Sequence, residues 1–136
     1  MEPWVRGLSY LCIGVTGEVI FTAIKALLEK KDLRLQGFTQ MWVMPMYAFF
    51  GVLIFEPLHD SLRDYNILLR FCAYAIMIFV LEYIFGWLYE KLTGVCPWKY
   101  TGKWQIGGYI NLPHFPFWGA LGLVGEVLHN YMISLG

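Results

Sequence analysis

Four apolar runs, each near the length that crosses a bilayer, take up most of this chain. They cover about residues 5–28, 40–57, 66–92 and 113–135. A run of roughly 18 or more apolar residues is what a membrane-spanning helix requires. Composition agrees, since 58% of the 136 residues are hydrophobic and 15% are charged, against about a quarter in an ordinary soluble domain. No stretch remains for a separate soluble domain. The pattern predicts an all-α polytopic membrane protein, a single transmembrane domain of four helices.

The runs are not purely apolar. Gly14-Val15-Thr16-Gly17-Glu18-Val19 puts a carboxylate in the middle of the first run. The pattern returns near the C-terminus as Gly122-Leu123-Val124-Gly125-Glu126-Val127, and Glu82-Tyr83-Ile84-Phe85-Gly86 echoes it in the third run. A charge at the bilayer centre costs roughly 2.5–3.5 kcal/mol on insertion scales. Such residues face inward, pair or take up a proton. Glu18, Glu82 and Glu126 are therefore expected to turn toward one shared interior. Gly14 and Gly17 on the first run, and Gly119, Gly122 and Gly125 on the last, would let other helices approach closely.

The chain also reads as two similar halves. Gly37, Pro45 and Tyr47 match Gly108, Pro116 and Trp118 in spacing, and Glu18 matches Glu82. This predicts a duplicated two-helix hairpin, both copies entering the bundle in one direction. Pro57 disfavours helix at Glu56, so the second span is expected to end or kink there. Residues 93–111 form the longest connection, rich in interfacial aromatics. Lys25, Lys30, Lys31, Arg34, Lys91, Lys99 and Lys103 gather at the two hairpin loops, against Arg6, Arg63 and Arg70 at the other end. The positive-inside rule puts the loops in the cytoplasm and the termini opposite.

Several classes are disfavoured. Net charge is zero, which argues against a nucleic-acid partner. The N-terminus lacks the basic region and cleavage site of a signal peptide, so the first run is kept as a span. Cys12, Cys72 and Cys96 form no Cys-x-x-Cys and suggest neither a disulfide set nor a thiolate metal site. No Ser-His-Asp or Cys-His arrangement stands out, and no catalytic residue is assigned.

Three readings of the glutamates follow. In the first, Glu18, Glu82 and Glu126 bind protons or cations in a transporter or permease-like protein or subunit, with Trp42, Tyr47 and Trp118 offering aromatic faces. It needs no cofactor. In the second, Glu56-Pro57-Leu58-His59 and Glu126-Val127-Leu128-His129 are two Glu-x-x-His runs. With Glu18 and Glu82 they make the ligand set Glu18, Glu56, His59, Glu82, Glu126 and His129 of a di-iron or di-manganese carboxylate oxidoreductase. In the third, the chain is a non-catalytic subunit of a larger membrane complex, or a homo-oligomer, docked through its glycine face. The bilayer is a partner in all three.

Taken together, several residues resemble the Putative ABC-transporter type IV membrane family, and within it the transmembrane protein 229-like branch. They are Gly14, Glu18, Val19 and Phe21; Gly37, Thr39, Trp42 and Tyr47; Glu82 and Gly86; Cys96-Pro97-Trp98 and Tyr100; then Gly108, Ile110, Leu112, Trp118 and Glu126. The Cys-Pro-Trp-x-Tyr run is the most specific part. The resemblance implies a multi-span membrane protein. Where the family usually has aspartate this chain has Lys99, so no role of that aspartate carries over. No Gly-x-x-x-x-Gly-Lys-[Ser/Thr] occurs, so any ATPase would be another chain.

Overall fold

The computed structural model describes residues 1–136, and the fold is all-helical apart from one short hairpin. Helix α1 spans Pro3–Lys30. Pro3 stands in its first turn, where a missing N–H leaves nothing unsatisfied. Lys31 ends it with a left-handed φ of 51°, turning its N–H onto the Ala26 carbonyl. The following connection folds back on α1. Thr22 Oγ1 accepts the Phe38 N–H at 2.8 Å. Gly37 lies so close to the Val19 carbonyl that any Cβ there would overlap it.

The second helical stretch consists of α2 (Val43–Phe50), a π turn (Gly51–Phe55) and α3 (Glu56–Leu62). Of the expected end or kink at Pro57, the end does not occur, since the helix runs on to Leu62. A proline inside a helix removes a donor and presses its ring on the carbonyl four residues back. Here the π turn widens the helix just before it, and the Glu56 N–H reaches the Gly51 carbonyl instead. Glu56 keeps helical angles (φ −59°, ψ −49°), so Glu56 and His59 stand one turn apart on the same face. Such π turns are frequent at functional sites.

Helix α4 covers Ile67–Thr93. The Asn66 side chain caps it by accepting the Leu69 N–H at 2.8 Å. Gly94, at φ 81°, ends it. The long connection is built rather than irregular: β1 (Gln105–Ile106) pairs antiparallel with β2 (Ile110–Asn111). Their turn needs positive φ at both Gly107 (62°) and Gly108 (80°), which glycine adopts freely. A 3₁₀ turn, Leu112–His114, leads into α5 (Phe115–Leu135).

The chain falls into two compact units. The first is residues 1–63 with 124–136, and the second is residues 64–123. In the first, Tyr10, Ala23, Val43, Phe55 and Met132 are buried, and Gly51 receives the Tyr10 ring where a Cβ would clash. In the second, Ala75, Phe79, Ile110 and Trp118 form the core, with Ile78, Phe115, Phe117 and Leu121 packed on it. Gly122 receives Tyr74 and Gly119 receives Phe71. Two helices, Pro3–Lys30 and Ile67–Thr93, are long and apolar enough to cross a membrane.

Candidate functional site

In the first unit the sequence-derived acids occupy two places. Glu18 sits near the middle of α1. It is fifteen residues from the helix start and twelve from its end, or about 22 and 18 Å of rise. Its two oxygens are held separately. The Tyr47 hydroxyl donates to Oε1 at 2.7 Å, and the Thr39 hydroxyl donates to Oε2 at 2.6 Å. Tyr47 reaches that position because its ring packs flat on Gly14, one turn before Glu18, where a Cβ would overlap it. Thr39 is delivered by the connection that Thr22 and Gly37 pin to α1.

The second place lies two turns down the same helix. Tyr10 is eight residues from Glu18, about 12 Å away along the axis. There Glu56 forms a two-point ion pair with Arg6, Nε to Oε1 at 2.8 Å and an Nη2 contact to Oε2 at 3.1 Å. The Tyr10 hydroxyl donates to Glu56 Oε1 at 3.0 Å. His129 Nδ1 lies 2.8 Å from that hydroxyl and 3.4 Å from Glu56 Oε1. His59 Nδ1 lies 3.3 Å from Glu126 Oε2, and its Nε2 lies 3.2 Å from Asn130 Oδ1. The two imidazoles meet edge to face at 5.1 Å, and Phe55 stacks on His59.

All of Glu56, His59, Glu126 and His129 are buried. A buried charge is tolerated when it is paired and hydrogen-bonded, and that is met here by Arg6, Tyr10 and the two histidines. The hydrogen-bond network also sets the tautomer of His129. With the Tyr10 proton given to Glu56, the imidazole must supply Nδ1–H to the hydroxyl. His59 is held at both ring nitrogens, Nδ1 by the Glu126 carboxylate and Nε2 by Asn130 Oδ1.

Of the six residues named for a di-metal centre, Glu56, His59, Glu126 and His129 are thus brought together. Glu18 is held elsewhere on α1. Of the acids named for proton or cation binding, Glu18 and Glu126 stand apart. Glu82 belongs to the second unit, where it is buried on α4. Tyr47 is a direct partner of Glu18. Trp118 lies in the second unit's core, whereas Trp42 is 55% exposed at the start of α2.

Sequence reasoning missed Arg6, Tyr10, Thr39 and Asn130 as members of these sites. A signal for two of them existed. Arg6, Tyr10, Gly14 and Glu18 follow at four-residue steps, so the polar row on α1 extends two turns above the glycine. The Cys-Pro-Trp-Lys-Tyr run has a structural task in the second unit. Trp98 Nε1 donates to the Tyr109 carbonyl at 3.2 Å, and the Tyr109 ring lies on Gly86. Lys99 pairs with Glu90 at 2.8 Å and caps the Tyr109 ring at 4.5 Å, so the expected charge reversal is met by an acid on α4.

No solved structure matches this chain. At the level of sequence, the family described as Putative ABC-transporter type IV matches residues 8–135. That match takes in α1 from Leu8 onward and every later element, with both glutamate sites and the Cys-Pro-Trp-Lys-Tyr run. The chain belongs to the Putative ABC-transporter type IV family.

Proposed function

We propose that this protein is a small four-span membrane transporter, or the permease-like subunit of one, in which Glu18 binds and releases a proton or a small cation. The observation that carries this reading is the partner set of Glu18. Its carboxylate lies near mid-length of a membrane-length helix and is held by two neutral hydroxyls. Glu56 differs, since its charge is already matched by Arg6.

Hydroxyls suit exchange for a simple reason. A hydroxyl both donates and accepts, so Tyr47 and Thr39 can donate to the carboxylate and turn to accept from the acid. An arginine cannot do this, because it has no acceptor. The four oxygens of Glu18, Thr39 and Tyr47 also form the kind of oxygen-only set that hard cations prefer. At mid-bilayer depth the neutral, loaded state is favoured by the surroundings, which supplies the drive for binding.

The span count rests on the two membrane-length helices, on the composite helix from Val43 to Leu62 and on α5. Support for paired hairpins comes from recurring contacts. Gly51 receives Tyr10 as Gly122 receives Tyr74, and Gly7 meets Ala48 where Phe71 meets Gly119. Each first-helix residue is displaced by 64 positions and each second-helix residue by 71, the same offsets that relate Glu18 to Glu82 and Tyr47 to Trp118. Past the π turn, Glu56 to Glu126 and His59 to His129 are 70 apart. One extra residue in the first hairpin is what a π turn absorbs. On this reading Glu82 and Trp118 are the second-half counterparts of Glu18 and Tyr47. The hairpin loops face the cytoplasm, on the lysine bias described above.

The test is reconstitution into liposomes with an imposed pH or sodium gradient. The wild-type chain is expected to carry the ion, and Glu18→Gln to abolish the flux while remaining monodisperse. Equal flux in Glu18→Gln would contradict the reading. Flux seen only when a co-purified chain is present assigns this protein as the subunit.

A further inference from the structure

The second polar group has a feature that neither ion pairing nor helix packing explains. His59, Asp60 and His129 each bring a ligand atom within 4.8 Å of the others. Both imidazoles are oriented from behind. His59 rests on the Glu126 carboxylate, and His129 rests on Tyr10 and Glu56. A carboxylate on one ring nitrogen is the arrangement that fixes a metal-binding histidine and strengthens its other nitrogen as a ligand.

The spacing fits as well. His59 Nε2 lies 3.2 Å from Asn130 Oδ1. A tetrahedral ion bound at about 2.1 Å to each would hold such a pair about 3.4 Å apart. Three acidic side chains, Glu56, Asp60 and Glu126, and one guanidinium, Arg6, stand around the two imidazoles. The ligands come from two matching runs, Glu56-Pro57-Leu58-His59-Asp60 and Glu126-Val127-Leu128-His129-Asn130. Each gives one imidazole and one side-chain oxygen from the next residue.

We propose that His59, Asp60, His129 and Asn130 form a site for one divalent transition-metal ion of the zinc class. Two nitrogens and two oxygens suit zinc, cobalt or nickel and are too nitrogen-rich for magnesium or calcium. Asp60 is exposed, so its carboxylate closes the set from the solvent side. The site uses one ion, leaves Glu18 and Glu82 out, and is independent of the ion exchange assigned to Glu18.

The test is cobalt titration of the full chain, purified in detergent without a polyhistidine tag. One equivalent of Co²⁺ is expected to give the visible absorption of a tetrahedral site, displaced by Zn²⁺. His59→Gln and His129→Gln are expected to abolish it. Glu126→Gln should weaken binding about 10–100-fold, the usual effect of removing a ligand's orienting partner. Asp60→Ala removes the ligand oxygen at an exposed position, so it separates lost ligation from lost folding; it should weaken binding at least about tenfold. No tetrahedral band in the wild type, or unchanged affinity in Asp60→Ala, overturns the site. The readout is metal binding rather than flux, so its failure is distinct from failure of the Glu18 reading.

Discussion

The Tyr47 hydroxyl reaches Glu18 Oε1 at 2.7 Å because the Tyr47 ring lies on Gly14 of the same α1 face. A methyl group at position 14 would overlap the ring near its root, at Cγ and Cδ1, where it cannot swing clear. Gly14→Ala should therefore cost about 1–3 kcal/mol, as overpacking does, and should pull the hydroxyl off Glu18. Thermal unfolding in detergent checks the first part. Tyr47→Phe keeps the packing and removes the donor alone, so it should lose flux with a smaller loss of stability.

The glycines of α5 should not be equivalent. A Cβ at Gly122 meets the Cβ and Cγ of Tyr74, which are fixed to the backbone. At Gly125 it meets the far edge of the Phe55 ring, at 3.2 Å from Cζ. Gly122→Ala is expected to cost about 2–3 kcal/mol and Gly125→Ala under about 1 kcal/mol. Comparable losses in the two variants would show that ring position does not govern the cost.

Arg6 and Glu56 should behave as a unit. Their side chains are 18% and 10% exposed, so removing one partner leaves the other charge largely out of water. Arg6→Ala is expected to cost about 3 kcal/mol. Adding Glu56→Gln should recover part of that loss, because the amide no longer carries the stranded charge. A double-mutant cycle measures the difference.

Cys96 offers a pH test outside the helices. Burial pushes its thiol up from the ordinary range, against smaller opposing contributions from a backbone hydrogen bond of Trp98 and from the Lys99 charge. A raised acid pKa means less thiolate in the folded chain than in the unfolded one at about pH 8–9. Maleimide labelling at Cys96 should therefore be slow near neutrality and rise with pH later than for an unfolded control. The same sign makes this thiol's contribution to stability fall as pH climbs past the unfolded value. Labelling at the rate of the unfolded control would contradict the burial.

Much of this was readable in the residues. Apolar runs gave the helices, and Glu18 stood out because nothing apolar explains it. Glu56 and His59 were readable as a pair, but Pro57 argued that they part. Only a backbone turn of a different pitch keeps them on one face, and no residue type announces a π turn. Its trace in the sequence is the one-residue change of offset between the halves, visible once Gly51 is matched to Gly122. The gathering of all three acids was expected from membrane cost alone. Cost says that an acid must find partners, not which ones, and Thr39 and Tyr47 satisfy Glu18 locally. Thr39 was beyond reach because a connection, not a helix period, sets its position.

The central claim is that Glu18 changes its protonation or ion-bound state within the folded protein. Difference infrared spectra of the reconstituted chain, taken from about pH 4 to about pH 9, report carboxyl groups that gain or lose a proton across that range. The account predicts a carboxylic-acid band that titrates in the wild type, moves in Tyr47→Phe and is missing from Glu18→Gln. A Glu18→Gln spectrum identical to the wild type across the whole range would contradict it.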